Sequence, residues 1–239
     1  MNIALIGYGK MGHEIEQVAL EREISIKRIF KSKDDSLSKQ ALKSVDVCID
    51  FSSPASTYDI IEAVANSGRN IVVGTTGWYN RLDDIVKIVK ARKIGLLYSA
   101  NFSVGMHIFK RIVSTAAGYF NTLDEYDVAI HEIHHRAKKD SPSGSALALG
   151  RVIIEQIARK KELSAETSHG MIDPRILHIT SGRIGHVVGT HEVHFDSAAD
   201  SIELVHRAKN RRGFAIGALL AAAWLKDKKG VFTFDDVIA

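Results

Sequence analysis

Apolar and polar residues alternate along this chain in two different rhythms. Through the first 120 positions, short apolar runs are followed by amphipathic stretches. The apolar runs predict strands over 2–6, 25–30, 45–51, 70–73 and 94–98. The amphipathic stretches predict helices over 11–23, 56–67, 82–91 and 105–120, and Ile15, Val18 and Ala19 share one face of the first. Strands regularly followed by helices imply a parallel sheet with right-handed crossovers. Beyond 120 the rhythm changes to period two. Over 126–135, Tyr126, Val128, Ile130, Glu132 and His134 fall on one face, and Asp127, Ala129, His131, Ile133 and His135 on the other. A helix is expected over 145–160 and an irregular excursion over 164–175. Strands are expected over 176–179, 186–188, 192–195 and 202–206, with turns at Ser181-Gly182 and over 196–200. A helix over 213–225 and a short tail over 231–237 complete the reading.

Between the first strand and the first helix stands Gly7-Tyr8-Gly9-Lys10-Met11-Gly12. In this position the G-x-G-x-x-G pattern has a physical purpose. The first glycine permits a tight turn, the second lets backbone approach a pyrophosphate, and the third lets helix and strand pack closely. The helix N-terminus favours the phosphate charge. The bland alternative is a glycine-rich turn without a ligand. In parallel sheets, ligands bind outside the carboxyl ends of the strands. The ends at 50–54, 74–77 and 99–103 are therefore candidates to line a cofactor, or else ordinary turns. The second strand ends in Phe30-Lys31-Ser32-Lys33, where an NAD site usually has an acidic residue. Two cations and a hydroxyl suit the 2′-phosphate of NADPH better than the 2′-hydroxyl of NADH. The fold expected is α/β: an N-terminal Rossmann-type dinucleotide-binding domain plus an α+β C-terminal domain with a mixed, largely open sheet. Its boundaries are set at 1–103 together with 209–239, and at 104–208.

Composition narrows the partners. Hydrophobic residues make up 45% and charged residues 25% of 239, the balance of a soluble globular protein. No apolar run is long enough to span a membrane. The N-terminus enters a strand pattern without a charged leader, and the single Cys48 has no partner for an internal disulfide, so a reducing cytoplasm is expected. The net charge of +4 is spread over short runs such as 159–161 and 226–229. Solvated helix ends explain them better than nucleic-acid binding.

The richest chemistry lies over 131–150, His-Glu-Ile-His-His-Arg-Ala-Lys-Lys-Asp-Ser-Pro-Ser-Gly-Ser-Ala-Leu-Ala-Leu-Gly. His131-Glu132-Ile133-His134-His135 matches H-E-x-x-H, the pattern of a zinc hydrolase, which needs both histidines on one helical face. The alternation here is that of a strand, where positions four apart are separated by roughly 13 Å. No metal is therefore expected. In the metal-free reading His134 and His135 end a strand, Lys138 and Lys139 follow in a loop, and Ser143 caps a helix whose free N–H groups can hold a carboxylate. Histidine and lysine can pass protons near neutral pH. A polar strand end beside a capped helix remains the plain alternative, and a non-catalytic dinucleotide sensor remains a third reading.

The frame Glu132-Ile133-His134-His135-Arg136-Ala137-Lys138-Lys139-Asp140-Ser141-Pro142-Ser143-Gly144-Ser145-Ala146 closely resembles the signature of the 4-hydroxy-tetrahydrodipicolinate reductase (dihydrodipicolinate reductase) family. Further resemblances are the G-x-G-x-x-G, Asp50-Phe51-Ser52, Gly74-Thr75-Thr76-Gly77, Ala100-Asn101-Phe102-Ser103-Val104-Gly105, Val188-Gly189-Thr190-His191-Glu192-Val193 and His206-Arg207-Ala208. They run in order over nearly the whole chain. The resemblance implies that a hydride passes from NADPH or NADH to a small cyclic dicarboxylate in the diaminopimelate route to lysine. It implies that His134 is the proton donor or acceptor, Lys138 a second proton donor and His135 a substrate contact. Gly144 and Ser145 would hold a substrate carboxylate. Gly7, Tyr8, Gly9, Lys10, Met11, Gly12, Lys31, Gly74, Thr75, Thr76, Ser99, Ala100, Asn101 and Phe102 would hold the cofactor. It also implies a homotetramer formed through the sheet of the second domain. Ser145 stands where the family usually has Thr and keeps the hydroxyl. Thr180-Ser181-Gly182-Arg183 and Ala215-Ile216-Gly217 depart from the family's pattern, the first while retaining an arginine.

Overall fold

The computed structural model describes residues 1–31 and 36–239, in two units: Met1–Val104 with Arg211–Ala239, and Gly105–Asn210. In chain order the strands are β1 (Asn2–Ile6), β2 (Ser25–Phe30), β3 (Val47–Asp50), β4 (Asn70–Val73), β5 (Gly95–Tyr98), β6 (Asp127–His134), β7 (Glu162–Ser164), β8 (Ile176–Arg183), β9 (Gly189–Asp196), β10 (Ser201–Ala208) and β11 (Gly230–Thr233). The helices are α1 (Lys10–Glu21), α2 (Pro54–Asn66), α3 (Leu82–Arg92), α4 (Val104–Phe120), α5 (Gly144–Gln156) and α6 (Arg212–Leu225).

The first unit is a six-stranded parallel sheet ordered β11-β5-β4-β3-β1-β2. Alternation within fully apolar strands divides its core between two faces. Ile3 and Leu5 of β1, Val47 and Ile49 of β3, and Leu97 of β5 pack on one side against α1 and α6. Ala4, Ile6, Cys48, Ile71, Val73 and Leu96 pack on the other against α2 and α3. The expected α1 face of Ile15, Val18 and Ala19 is buried. One expectation is corrected: the stretch 231–237, read as a short tail, carries a sheet strand. Its β11 pairs in parallel with β5, from Gly230 beside Gly95 to Thr233 beside Tyr98.

The second unit is a mixed sheet ordered β10-β9-β6-β8-β7. β6 runs antiparallel to β9 and parallel to β8. One face is covered by α4 and α5, which bury Val128, Ile130, Leu177, Ile179, Val193 and Phe195. The opposite face is open, with Ala129 and Thr180 exposed and His131 half-buried. Three readings of the sequence need correction here, and one strand was unread. Ser181-Gly182 is not a turn but part of β8, which stays paired with β6 as far as Arg183 beside His134. The stretch 186–188 is not a strand, because β9 begins at Gly189. A three-residue strand that the sequence did not suggest, β7, precedes the excursion, which is irregular over 165–175 as expected. Finally, α5 ends at Gln156, so 159–161 is no solvated helix end. Lys160 is buried, donating to the carbonyl of Ile176 at 2.8 Å and pairing with Asp127 at 2.6 Å. A cation buried with a carboxylate and a carbonyl is a structural group.

Candidate active site

In the first unit, the carboxyl ends of all the parallel strands lie along one edge of the sheet. β1 is followed in space by β2 on one side and β3 on the other, which makes the gap between β1 and β3 the switch point where a crevice forms. A cavity of about 550 Å³ lies there, lined by Ile6, Gly7, Tyr8, Gly9, Lys31 and Ser52 among others. Gly7 has a left-handed φ of +84°, and a Cβ on it would lie 2.5 Å from the carbonyl oxygen of Phe51. A Cβ on Gly12 would lie 2.6 Å from the carbonyl oxygen of Gly7. Both positions therefore require glycine. The helix that follows starts at an extended Gly9 and carries no acidic residue in its first turn. A tight bare-backbone turn, a helix start and a cavity at the switch point fit a dinucleotide.

The other strand ends are held by short-range hydrogen bonds and close packing. Asp50, fully buried at the end of β3, accepts from the Ser52 N–H at 3.0 Å and from the Thr75 hydroxyl at 3.1 Å. Trp78 donates through its indole N–H to the Thr75 carbonyl at 2.8 Å. A Cβ on Gly74 would meet the Phe51 ring at 2.2 Å, so this loop too approaches closely only as glycine. Thr76 and Ala100 are exposed and Asn101 is half-buried. The Ser99 hydroxyl donates to the Asn101 carbonyl at 2.6 Å, and Asn101 Oδ1 accepts from the Ser103 N–H at 2.7 Å. The Phe102 ring is a core group, set edge-on to Phe51 and Phe234. The Lys31 ammonium lies 4.6 Å above the Tyr8 ring, and the Tyr8 hydroxyl is hydrogen-bonded to Glu16. Ser32 and Lys33 lie outside the described residues.

In the second unit, several strands change character at the same end of the covered face. Val128 and Ile130 give way to Glu132 and His134 along β6. Leu177 and Ile179 give way to Ser181 and Arg183 along β8. On the antiparallel strands, Phe195 and Val193 give way to His191, and Leu204 to His206. Register brings these residues together: Glu132 lies beside His191 and Ser181, His134 beside Arg183, and His206 beside His191. The ionisable groups thus cluster beside one end of a dry core.

Glu132 is fully buried at the centre of the cluster. Its Oε1 accepts from the Ser143 N–H at 3.1 Å and from the Arg183 guanidinium at 2.9 Å, and its Oε2 lies 2.6 Å from His134 Nδ1. Burial pushes this carboxyl up, but His134, Ser143, Ser181 and Arg183 around it together outweigh it and leave the group ionised, below the usual carboxylate range. Arg183 also donates to the Asp140 carbonyl at 2.7 Å. The Lys138 ammonium is held by the Asp140 carboxylate at 2.8 and 2.9 Å, which lowers the Asp140 pKa. Ser143 caps α5 as expected, its Oγ accepting from the Ala146 N–H at 3.2 Å. Gly144 is exposed and Ser145 half-buried at this helix start, and His135 is half-buried just after β6. His191 Nε2 lies 3.2 Å from Ser143 Oγ, and burial, with His134 nearby, pushes this histidine down to about 4.

Two family models match the chain: dihydrodipicolinate reductase, N-terminus, over residues 1–102, and dihydrodipicolinate reductase, C-terminus, over residues 105–238. The 4-hydroxy-tetrahydrodipicolinate reductase of Christiangramia forsetii is 41% identical over 244 residues, covering 100% of this chain and 98% of the relative. The chain belongs to the dihydrodipicolinate reductase family. The relative of the same description in Rickettsia bellii is 36% identical, covering 99% of this chain and 94% of its own. The dipicolinate-bound dihydrodipicolinate reductase of Paenisporosarcina sp. TG-14 has the same fold, with a TM-score of 0.79 at 23% identity, over 99% of this chain and 98% of that one. No described helix is long and apolar enough to cross a membrane.

Membership in the dihydrodipicolinate reductase family disfavours both the zinc-hydrolase and the sensor readings, and geometry adds to the case against zinc. His131 lies on the open face, 2.7 Å from Thr180 Oγ1, whereas Glu132 lies on the covered face. A trio that the sequence did not single out, Glu132, His134 and His191, places one ligand atom from each within 4.8 Å of the others. Its closest pair of atoms, His134 Nδ1 and Glu132 Oε2, is only 2.6 Å apart. Two ligands of a tetrahedral zinc with bonds near 2.1 Å lie about 3.4 Å apart. The residues that sequence reasoning missed, Glu132 as a hub together with Arg183, His191 and His206, carried one signal. Each is the polar continuation of an otherwise apolar strand face.

Proposed function

We infer that the chain catalyses the pyridine-nucleotide-dependent reduction of dihydrodipicolinate to tetrahydrodipicolinate, in the diaminopimelate route to lysine. The observation that carries this reading is the folded form of the 132–146 frame. It sets a histidine against a buried carboxylate, beside a serine-capped helix start, in a chain that also holds a dinucleotide crevice.

The reduction adds a hydride and a proton across one double bond of a cyclic dicarboxylate. The bound nucleotide supplies the hydride. Tyr8, Gly9, Lys10, Met11 and Gly12 would receive its pyrophosphate on backbone N–H groups, Gly7, whose own N–H is held by the Phe30 carbonyl, shaping the turn, and the loops at 74–76 and 99–102 would line the rest of its site. Lys31 favours NADPH by facing a 2′-phosphate. His134 handles the proton, and Lys138 is a second donor once it leaves Asp140. The Gly144 N–H and the Ser145 hydroxyl hold a substrate carboxylate at the start of α5, and His135 touches the substrate. We assign substrate binding and homotetramer formation to residues 104–208, nucleotide binding to 1–103 with 209–239, and the cytoplasm as the place of action.

Replacing His134 or Lys138 by alanine tests these roles. Each change should slow turnover about tenfold or more while nucleotide binding persists. Full activity in both variants would remove the assignment.

A further inference from the structure

Glu132 has the environment of a residue that organises others. It is completely buried, yet three groups from three parts of the second unit converge on its two oxygens. A buried carboxylate is tolerated only when donors and charges of this kind surround it. What the donors are attached to is the informative part. His134 presents Nδ1 at 2.6 Å. Ser143 presents the backbone N–H of the residue that caps α5. Arg183 presents a guanidinium nitrogen that also holds the Asp140 carbonyl, and the Asp140 carboxylate holds Lys138.

We propose that Glu132 is the positioning residue of this site: one carboxylate fixes the His134 ring and, through Ser143 and Arg183, fixes the start of α5 and the Asp140–Lys138 pair. This rests on the roles given above to His134 and Lys138. With Oε2 2.6 Å from Nδ1, a close charge contact rather than a well-aligned hydrogen bond, the carboxylate favours the proton on Nδ1, so the neutral ring is held as the tautomer whose Nε2 carries a lone pair. When the ring is protonated, the proton that can leave is the one on Nε2, and the carboxylate stays ionised throughout. Nε2 packs against Gly189 of β9, where a Cβ would come within 2.9 Å, so the absence of a side chain at 189 is what lets the ring sit there. Glu132 itself touches neither substrate nor nucleotide in this account.

The arrangement is open to test by nitrogen-15 NMR of the His134 ring in the intact wild-type enzyme, at a pH where the ring is neutral. The expected spectrum has a protonated Nδ1 and an unprotonated Nε2. A ring protonated on Nε2 alone overturns the proposal without any substitution. As a second measurement, Glu132→Gln keeps the shape and removes the charge. It should lower kcat about 10²-fold and leave the nucleotide KM within about threefold. The His134 signals should then report a mixture of tautomers. Unchanged kcat and an unchanged tautomer in Glu132→Gln, with His134→Ala inactive, overturn the positioning role and leave the His134 assignment standing. Full activity in His134→Ala overturns the assignment on which the proposal rests.

Discussion

The Thr75 hydroxyl donates to Oδ2 of Asp50 across 3.1 Å, and this buried contact joins the ends of β3 and β4 next to Phe51 and Ser52, which line the crevice. Asp50 bridges the turns that follow β3 and β4, because its Oδ1 also accepts from Ser52. Burial, only partly offset by the bonds from Ser52, Thr75 and Thr57, pushes its pKa up to about 6.

That shift has a stability consequence with a definite sign. The folded state holds the Asp50 proton more tightly than the unfolded chain, so stability from this group is present at low pH and lost as pH rises through about 6. Asp50→Asn removes the loss. Relative to wild type, the variant should gain about 1–3 kcal/mol between pH 4 and pH 8. Urea unfolding at both values checks this; a difference between the two proteins that does not change with pH contradicts it.

Lys31 stands at the end of β2 beside Tyr8 and lines the crevice. Lys31→Glu should move the preference between NADPH and NADH towards NADH by about tenfold, because a carboxylate repels a 2′-phosphate and accepts from a 2′-hydroxyl. The ratio of kcat/KM for the two nucleotides reads this directly. An unchanged ratio would mean that Lys31 does not discriminate.

Gly189 and His134 are packed so closely that a methyl group at position 189 would force the ring to move. Gly189→Ala should therefore lower kcat about tenfold or more with little change in nucleotide KM. Steady-state kinetics alongside a thermal melt separates this from unfolding. Wild-type kcat in a folded variant would show that the ring position is not critical.

The first unit was legible because its strands are apolar on both faces and its glycine turn follows one of them, so Ile3 to Ile6 and Gly7 to Gly12 announce themselves. β11 was not, since Val231 and Phe232 sit in a short run whose partner, β5, lies far back in the chain. β8 was cut short because Ser181-Gly182 has turn chemistry, yet pairing with β6 keeps it extended. In the site, His134, Lys138 and Ser143 were readable from a single contiguous frame. Arg183 and His191 were not: they join Glu132 only through the register of three strands, and register is a property of the assembled sheet.

The most direct test of the function is nucleotide oxidation in the presence of dihydrodipicolinate generated in situ, with the product identified by mass. The account predicts one NADPH or NADH consumed for each tetrahydrodipicolinate formed, and no oxidation when the substrate is left out. Purified, folded enzyme that oxidises neither nucleotide in the presence of that substrate would contradict it.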